Sequence, residues 1–341
     1  MSERPEKGRR ARYAGPRDPR PEGAAAEGPP ANAEAVARLG ENFTGYLAAS
    51  GRVEPLLEEL GEGVVRHGRL LLAPGPPRDA AWALNTWRAP RRIPFVSIRD
   101  AARGLRDLQR SWAGYQVHMH RRTALISEGL PYVSARPLVF PEAAPAAPLG
   151  SWTLLDRHTL LASPECSSPF PNGEIRFEED RDGPPSRAYL KLWEAFTLLG
   201  TRPGPGEVCL DLGASPGGWT WVVQSLGARV IAVDKAPLDP RILALPGVET
   251  RLESAFGLDP VAAGPVDWLL SDMACYPSRL LALVQRWIAA GALRRAICTL
   301  KFQGPTDHET ARAFAAIPGS RLLHLHNNRH ELTWIKDQTG P

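Results

Sequence analysis

The chain has 341 residues, 43% hydrophobic and 23% charged, with 41 Lys and Arg against 37 Asp and Glu. This composition is ordinary for a globular chain, the length allows about two domains of roughly 150 residues each, and the absence of any apolar run near 18 residues excludes a transmembrane helix. The first 20 residues lack a secretory-type apolar segment, and Cys166, Cys209, Cys275 and Cys298 form no CxxC pair, so neither a disulfide framework nor a cysteine zinc site is expected and a reducing cytoplasmic setting fits.

The net charge of +4 sits at one end. Residues 1–20 carry seven basic side chains (Arg4, Lys7, Arg9, Arg10, Arg12, Arg17, Arg20) and three acidic ones (Glu3, Glu6, Asp18), a surplus equal to the whole. The rest of the chain is neutral, so any nucleic-acid footprint on the body must be a local patch. Residues 1–34 hold no large apolar side chains beyond Met1 and Tyr13. They cannot bury enough surface to offset their ordering entropy, so a disordered basic tail is expected. Such a tail acts either as a solubiliser or as a tether for phosphate backbone.

A smaller α+β domain is expected over residues 35–150. Hydrophobic patterning predicts a strand at Phe43–Leu47, a helix at Val53–Leu60 and a strand at Gly68–Leu72, with a break at Gly75–Pro77. Ile98, Ala102, Leu105, Leu108 and Trp112 recur at helical spacing and predict a helix over Ile98–Trp112. Arg99, Arg103, Arg106 and Arg110 then line one neighbouring face, either a solvated flank or a ridge for RNA backbone. Pro141–Pro148 (PEAAPAAP) reads as a linker or exposed loop.

From residue 151, a strand pair (Trp152–Leu155, Thr159–Ala162) leads through a loop-rich stretch into alternating strands and helices. Helices are predicted at Ser186–Leu199, with Ser186 as N-cap, at Trp219–Leu226 and at Ser278–Ala289. Strands are predicted at Val208–Leu212, Arg229–Val233, Val248–Leu252, Val266–Ser271 and Ala296–Leu300. Strand-like Arg321–His326, a turn at Asn327-Asn328 and strand-like Leu332–Ile335 close the chain. This alternation predicts an α/β domain over 151–341, its mostly parallel sheet covered on both faces and its antiparallel member supplied by the final hairpin.

The strongest local signal is Asp211-Leu212-Gly213-Ala214-Ser215-Pro216-Gly217-Gly218-Trp219, which follows a predicted strand and opens a helix. Glycines permit positive φ and close backbone approach to a ligand, Pro216 stiffens the turn, and the helix start adds unpaired N–H groups. The pattern is neither GxGxxG nor GxxxxGK[ST], which disfavours a dinucleotide or a P-loop triphosphate. Asp234, 23 residues after Asp211, ends the second strand, where an acid can accept hydrogen bonds from both ribose hydroxyls of an adenosine group.

DLGASPGGWT closely resembles the S-adenosylmethionine loop of the FtsJ-type RNA ribose 2′-O-methyltransferases, and within them the M-type branch that acts on large-subunit ribosomal RNA. SRAYLKLWEAF (186–196), VDKAPL (233–238), SDMACYP (271–277), LKFQG (300–304) and RHELTWI (329–335) match the same family in order and spacing. The resemblance implies a Rossmann-like class I methyltransferase with a seven-stranded sheet, S-adenosylmethionine as cofactor, and a Lys-Asp-Lys-Glu tetrad at Lys191, Asp272, Lys301 and Glu331. It implies that the loop residues Asp211, Gly213, Ala214, Ser215, Pro216, Gly217, Gly218 and Trp219, with Asp234 and Asp272, hold the cofactor. Relatives often carry an aspartate at the adenine; here Glu253 or Ser254 takes its place. Also implied are RNA as partner, as 23S rRNA or a pre-ribosomal particle, a cytidine target, and an amino-terminal THUMP-like RNA-binding module, of which 35–150 is a shortened form. A monomer without membrane contact is expected.

Sheet geometry points the same way without the family. Ligands of an open parallel sheet sit beyond the carboxyl ends of its strands. Asp272 ends the fourth predicted strand, Lys301 the fifth, and Glu331 opens the antiparallel last strand, so all three share one rim, within reach of Lys191 on the preceding helix. A lysine serves as general base where burial or a neighbouring cation holds it neutral. Lys301 is expected in that role beside Lys191, with Asp272 orienting Lys301 and Glu331 positioning the ribose and Lys191. An RNA-binding assembly factor with weak or no catalysis is the alternative; a small-molecule methyltransferase is disfavoured by the two lysines. His324, His326 and His330 lie near Glu331 but lack the context of a zinc site, and no metal is expected.

Overall fold

The structure, a computed structural model, describes residues 29–337. Most of the expected tail lies outside the described residues, but its last members are built into the fold. Ala31 is buried and donates its N–H to His67 Nδ1 at 3.1 Å, and Asn32 caps helix α1 (Ala33–Ala37) by accepting the N–H of Ala35. Those partners offset the ordering cost that composition alone predicts.

Three sheets form among the described residues. The first joins β1 (Phe43–Ala48), β2 (Val65–His67), β3 (Leu70–Pro74) and β4 (Ala83–Trp87) in the antiparallel order β2-β3-β1-β4, with α2 (Val53–Leu60) following β1. The second joins β5 (Arg91–Pro94), β6 (Trp112–Gly114), β7 (Gly150–Leu154) and β8 (Thr159–Ser163) in the order β5-β8-β7-β6, with α3 (Ile98–Leu108) and α4 (His120–Glu128) inserted before and after β6. The boundary expected at residue 150 therefore falls inside this sheet. β8 runs antiparallel to β5 and β7 parallel to β6, held there because Trp152, Leu154 and Leu160 share a core with Ala101, Leu105 and Trp112.

The helix expected over Ile98–Trp112 stops at Leu108, and Trp112 opens β6. Its indole N–H reaches back to the carbonyls of Leu105 and Gln109, so the apolar stripe is real but its last member is not helical. The expected arginine row shortens accordingly. Arg110 lies past the helix, Arg103 pairs with Asp100 at 2.5 Å, and Arg106 bonds the carbonyl of Gly129; only Arg99 among these helical arginines lacks such a partner.

The third sheet joins β9 (Val208–Leu212), β10 (Arg229–Asp234), β11 (Val248–Leu252), β12 (Val266–Ser271), β13 (Leu293–Lys301), β14 (Ser320–Leu323) and β15 (Glu331–Asp337) in the order β11-β10-β9-β12-β13-β15-β14. Only β15 is antiparallel to its neighbours. Helices α5 (Tyr189–Leu199), α6 (Gly218–Ser225), α7 (Pro240–Leu243), α8 (Pro260–Ala263), α9 (Pro277–Ala289) and α10 (His308–Ala315) complete the doubly wound layers. The apolar runs of β9 and β12 suit strands buried on both faces. This is the expected Rossmann-like α/β fold with a mostly parallel seven-stranded sheet. Ser186 does not cap α5, which begins at Tyr189 with Ala188 at the N-cap. No helix among the described residues is long and apolar enough to cross a membrane.

One apolar cluster runs from the first sheet into the third, joining Tyr46, Leu56, Leu60 and Trp82 to Phe302, Phe314 and Leu332. The Trp82 ring lies 5.7 Å from Phe302, 5.3 Å from His324 and 5.6 Å from His330, centroid to centroid. Glu59 accepts the backbone N–H groups of Ala81 and Trp82, and His324 donates its N–H to the Ala81 carbonyl. The amino-terminal unit is thus seated on the β14–β15 hairpin. Trp82→Ala is expected to lower stability by about 3–5 kcal/mol, the usual cost of emptying a packed aromatic site. Denaturant unfolding measures it; a loss below about 1 kcal/mol would show that the two units do not share a core.

Candidate active site

The carboxyl ends of β12 and β13 and the start of β15 meet on one rim. Lys301 and Glu331 stand directly opposite each other in the antiparallel ladder, and Asp272 follows the last residue of β12. Lys191, on the first turn of α5, reaches across all three. Its Nζ donates to Asp272 Oδ1 and Oδ2 at 2.7 and 2.9 Å and to Glu331 Oε1 at 3.1 Å. Lys301 Nζ donates to the backbone oxygen of Asp272 at 2.5 Å and lies 3.2 Å from Oδ1. Lys191 and Glu331 are buried, whereas Lys301 keeps partial access to solvent. Two cations and two anions compensate one another, which makes their burial tolerable.

A cavity of about 540 Å³ opens beside this cluster, bounded by Asp272 and Lys301. That volume is typical of a small-molecule site. Asp211, Gly213, Ala214, Ser215, Pro216, Gly218 and Trp219 line it from the loop, and Asp234, Glu253 and Ser254 from the ends of β10 and β11. Gly217 does not. Its φ is +113°, and a Cβ there would stand 2.8 Å from the Ile242 side chain of α7. Gly213, at φ +76°, likewise leaves room for protein, since its Cβ would meet Met273 Cγ at 2.3 Å. These two glycines let the loop pack against α7 and Met273; Gly213 also lines the cavity, whereas Gly217 faces α7 and not the space expected for a ligand.

Asp234 ties the loop to β10. Its Oδ2 accepts the N–H of Ser215 at 3.1 Å and its Oδ1 that of Ala236 at 3.0 Å; a carboxylate retains further lone pairs for a ligand. Asp211 is buried and accepts the Thr220 hydroxyl at 2.7 Å. Burial, reinforced by the charges of Asp272 and Asp234, pushes its carboxyl up to about 7.

Sequence reasoning missed Glu194. It lies three residues after Lys191 on the same helix and accepts the backbone N–H of His326 at 2.6 Å and of Asn327 at 2.9 Å, and the Asn327 amide at 2.7 Å. Burial pushes this carboxyl up to about 7 as well. The signal was present, because residues three apart on a helix share a face. Phe256, Met273, Cys275 and Arg279 also line the cavity unforeseen, with the Arg279 guanidinium 4.2 Å from the Phe256 ring centre. The three histidines serve separate ends: His324 bonds the Arg329 carbonyl, His326 gives its N–H to Glu194, and His330 meets Thr306.

The family model described as "FtsJ-like methyltransferase" matches residues 184–302. This stretch is similar to the FtsJ-like methyltransferases. The chain is 44% identical over 186 residues to "Ribosomal RNA large subunit methyltransferase M" of Methylococcus capsulatus, covering 50% of this chain and 52% of that one. Proteins of the same name from Halorhodospira halophila (38% over 172 residues; 48% and 50% covered) and Aromatoleum aromaticum (33% over 232 residues; 63% and 59%) are also similar. The chain spans between about half and three fifths of these relatives' length.

S-adenosylmethionine is the cofactor of such a domain, and the cavity fits it. The carboxylates of Asp211 and Asp272 suit a cationic ligand, that of Asp234 suits ribose hydroxyls, and Ala255 and Phe256 offer an apolar wall for a purine.

The Asp211 shift has a measurable consequence. Folded, the carboxyl keeps its proton to about 7; unfolded, it returns to its ordinary 3.8. At this group the folded state therefore binds more protons in that interval, and the stability that Asp211 contributes to the ligand-free protein falls as pH rises through it. Across pH 4 to 8 the denaturation midpoint of Asp211→Asn, which keeps an acceptor for Thr220, is expected to gain on that of the parent as pH rises. Identical slopes in variant and parent would contradict the assignment.

Proposed function

We propose that the chain transfers a methyl group from S-adenosylmethionine to a ribose 2′-hydroxyl of large-subunit ribosomal RNA, free or in a pre-ribosomal particle, with a cytidine as the target. The observation that carries this reading is the convergence of Lys191, Asp272, Lys301 and Glu331 at the edge of the cavity, where Asp272 and Lys301 belong to both. The names of the similar proteins supply the RNA.

When bound, S-adenosylmethionine supplies an electrophilic methyl group. The 2′-hydroxyl is a weak nucleophile, and the chain's own task is to hold it in line and take its proton. Lys301 is the base. Its two contacts, with the Asp272 backbone oxygen and Oδ1, need only two N–H bonds, so the ammonium that balances the tetrad can give up its third proton, keep both contacts and offer the lone pair to the hydroxyl proton. Lys191 meets three carboxylate oxygens and has no valence to spare; it is the fixed cation that holds Asp272 and Glu331. Asp272 orients Lys301, and Glu331 positions the ribose.

The test is incorporation of labelled methyl into 23S rRNA lacking the modification, followed by digestion to nucleosides. Wild type is expected to yield a 2′-O-methylnucleoside, and Lys301→Ala and Asp272→Ala are expected to lose about 100-fold or more in rate while remaining folded. Undiminished rates in both variants would overturn the tetrad assignment, and a base-methylated product would overturn the ribose assignment.

A further inference from the structure

The tetrad balances its own charges, and in the cavity beside it Asp211, Asp234 and Glu253 offset Lys235 and Arg279, so neither is basic overall. Neither attracts a polyanion, so an RNA strand crossing this rim requires cations from elsewhere. Two arginines from different parts of the chain border the tetrad's glutamate. Arg52 stands at the start of α2 in the amino-terminal unit. Its Nε donates to the carbonyl of Arg329 at 3.1 Å and its Nη1 to the carbonyl of Gly51 at 3.1 Å. The Arg329 N–H in turn donates at 3.3 Å to Glu331 Oε1, the same oxygen that receives Lys191. A chain of hydrogen bonds thus runs from the amino-terminal unit to the tetrad. Arg329 is exposed, Arg52 is half-buried, and neither is paired in a salt bridge among the described residues, unlike many other arginines of this chain.

We infer that Arg52 and Arg329 form a two-arginine clamp for an RNA backbone phosphate flanking the target ribose, so that the amino-terminal unit contributes directly to the substrate groove. The inference rests on the proposed ribose methyl transfer to RNA. Guanidinium suits the task because its planar fork meets phosphate oxygens in pairs. Arg329 precedes the tetrad's glutamate by two residues and Arg52 bonds its carbonyl, so the pair borders the rim that a linkage adjoining the methylated sugar would cross. Phosphate contacts of this kind set register without reading sequence.

The experiment uses the full chain with in-vitro transcribed, unmodified 23S rRNA. KM, kcat and the salt dependence of RNA binding are measured for wild type, Arg52→Ala, Arg329→Ala and Arg52→Lys, and calorimetry with S-adenosylhomocysteine monitors the cofactor pocket. Each alanine variant is expected to raise KM for RNA about tenfold with a much smaller change in kcat, and to lower the slope of log affinity against log salt by about 0.7–0.9 for the lost phosphate contact. Arg52→Lys is expected to restore most of that slope, because the charge returns. Unchanged KM and salt slope in an active Arg52→Ala enzyme would overturn the clamp. So would a fall in kcat with the slope intact, which would make Arg52 a strut for Arg329 and Glu331. If wild type methylates no ribose, the proposed function fails instead, while direct RNA binding by the same variants still decides the clamp.

Discussion

A single carboxylate, that of Asp272, receives two ammonium groups, and the geometry of the site follows from it. Lys191 meets both of its oxygens and Lys301 approaches one of them. Removing either partner would leave a charge facing an incomplete set, so the members hold one another in place. The same residue joins this cluster to the glycine loop. Met273, its chain neighbour, lies so close to Gly213 that a Cβ there would strike it. Loop and tetrad therefore cannot shift independently, and the cavity between them has walls set by one packing contact and one ion cluster.

The second support comes from α5, which holds the start of β15 twice. Lys191 bonds Glu331 inside the strand, and Glu194, on the same helical face, bonds the turn at His326 and Asn327 that precedes it. A hairpin on the edge of a sheet is ordinarily among the more mobile parts of a fold. Here its turn is anchored by a buried acid, its strand by the ladder to β13, and its outer side by Trp82. The shared core around Trp82 makes the amino-terminal unit part of that anchor, not a separate body on a linker.

Much of this was legible in the sequence where local chemistry decides the outcome. Val53–Leu60, Val248–Leu252 and Val266–Ser271 form the elements that their patterning predicts, because burial on one or both faces leaves a period in the residues. Partnership between distant segments leaves none. β5 reads Arg-Arg-Ile-Pro, which gives no hint that it pairs with Thr159–Ser163, so residues 150–163 were assignable as strands but not to their sheet. Trp112 fits the helical stripe of α3 and yet reaches the same core from a strand. Glycines at 213 and 217 declare that a side chain is excluded but not by what. The tetrad members lie up to 140 positions apart. Their meeting was readable only by combining the rule that strands end on a common rim with the resemblance of whole motifs.

Charge sorts the two ligands that a methyl transfer to RNA must bring together. The cofactor carries positive charge at its reacting end, and the wall that would receive it holds Asp211 and Asp272, the former so deeply buried that it ionises only near neutrality. In the proposed reaction the substrate carries a negative charge at every linkage, and the cations proposed to meet it stand outside that wall, on Arg52 and Arg329. Lys301 lies at the junction, part of the cavity and bonded to the tetrad. An acidic interior with basic flanks lets each ligand be drawn to its own side, and leaves one amine on the boundary where the oxygen of one must meet the methyl of the other.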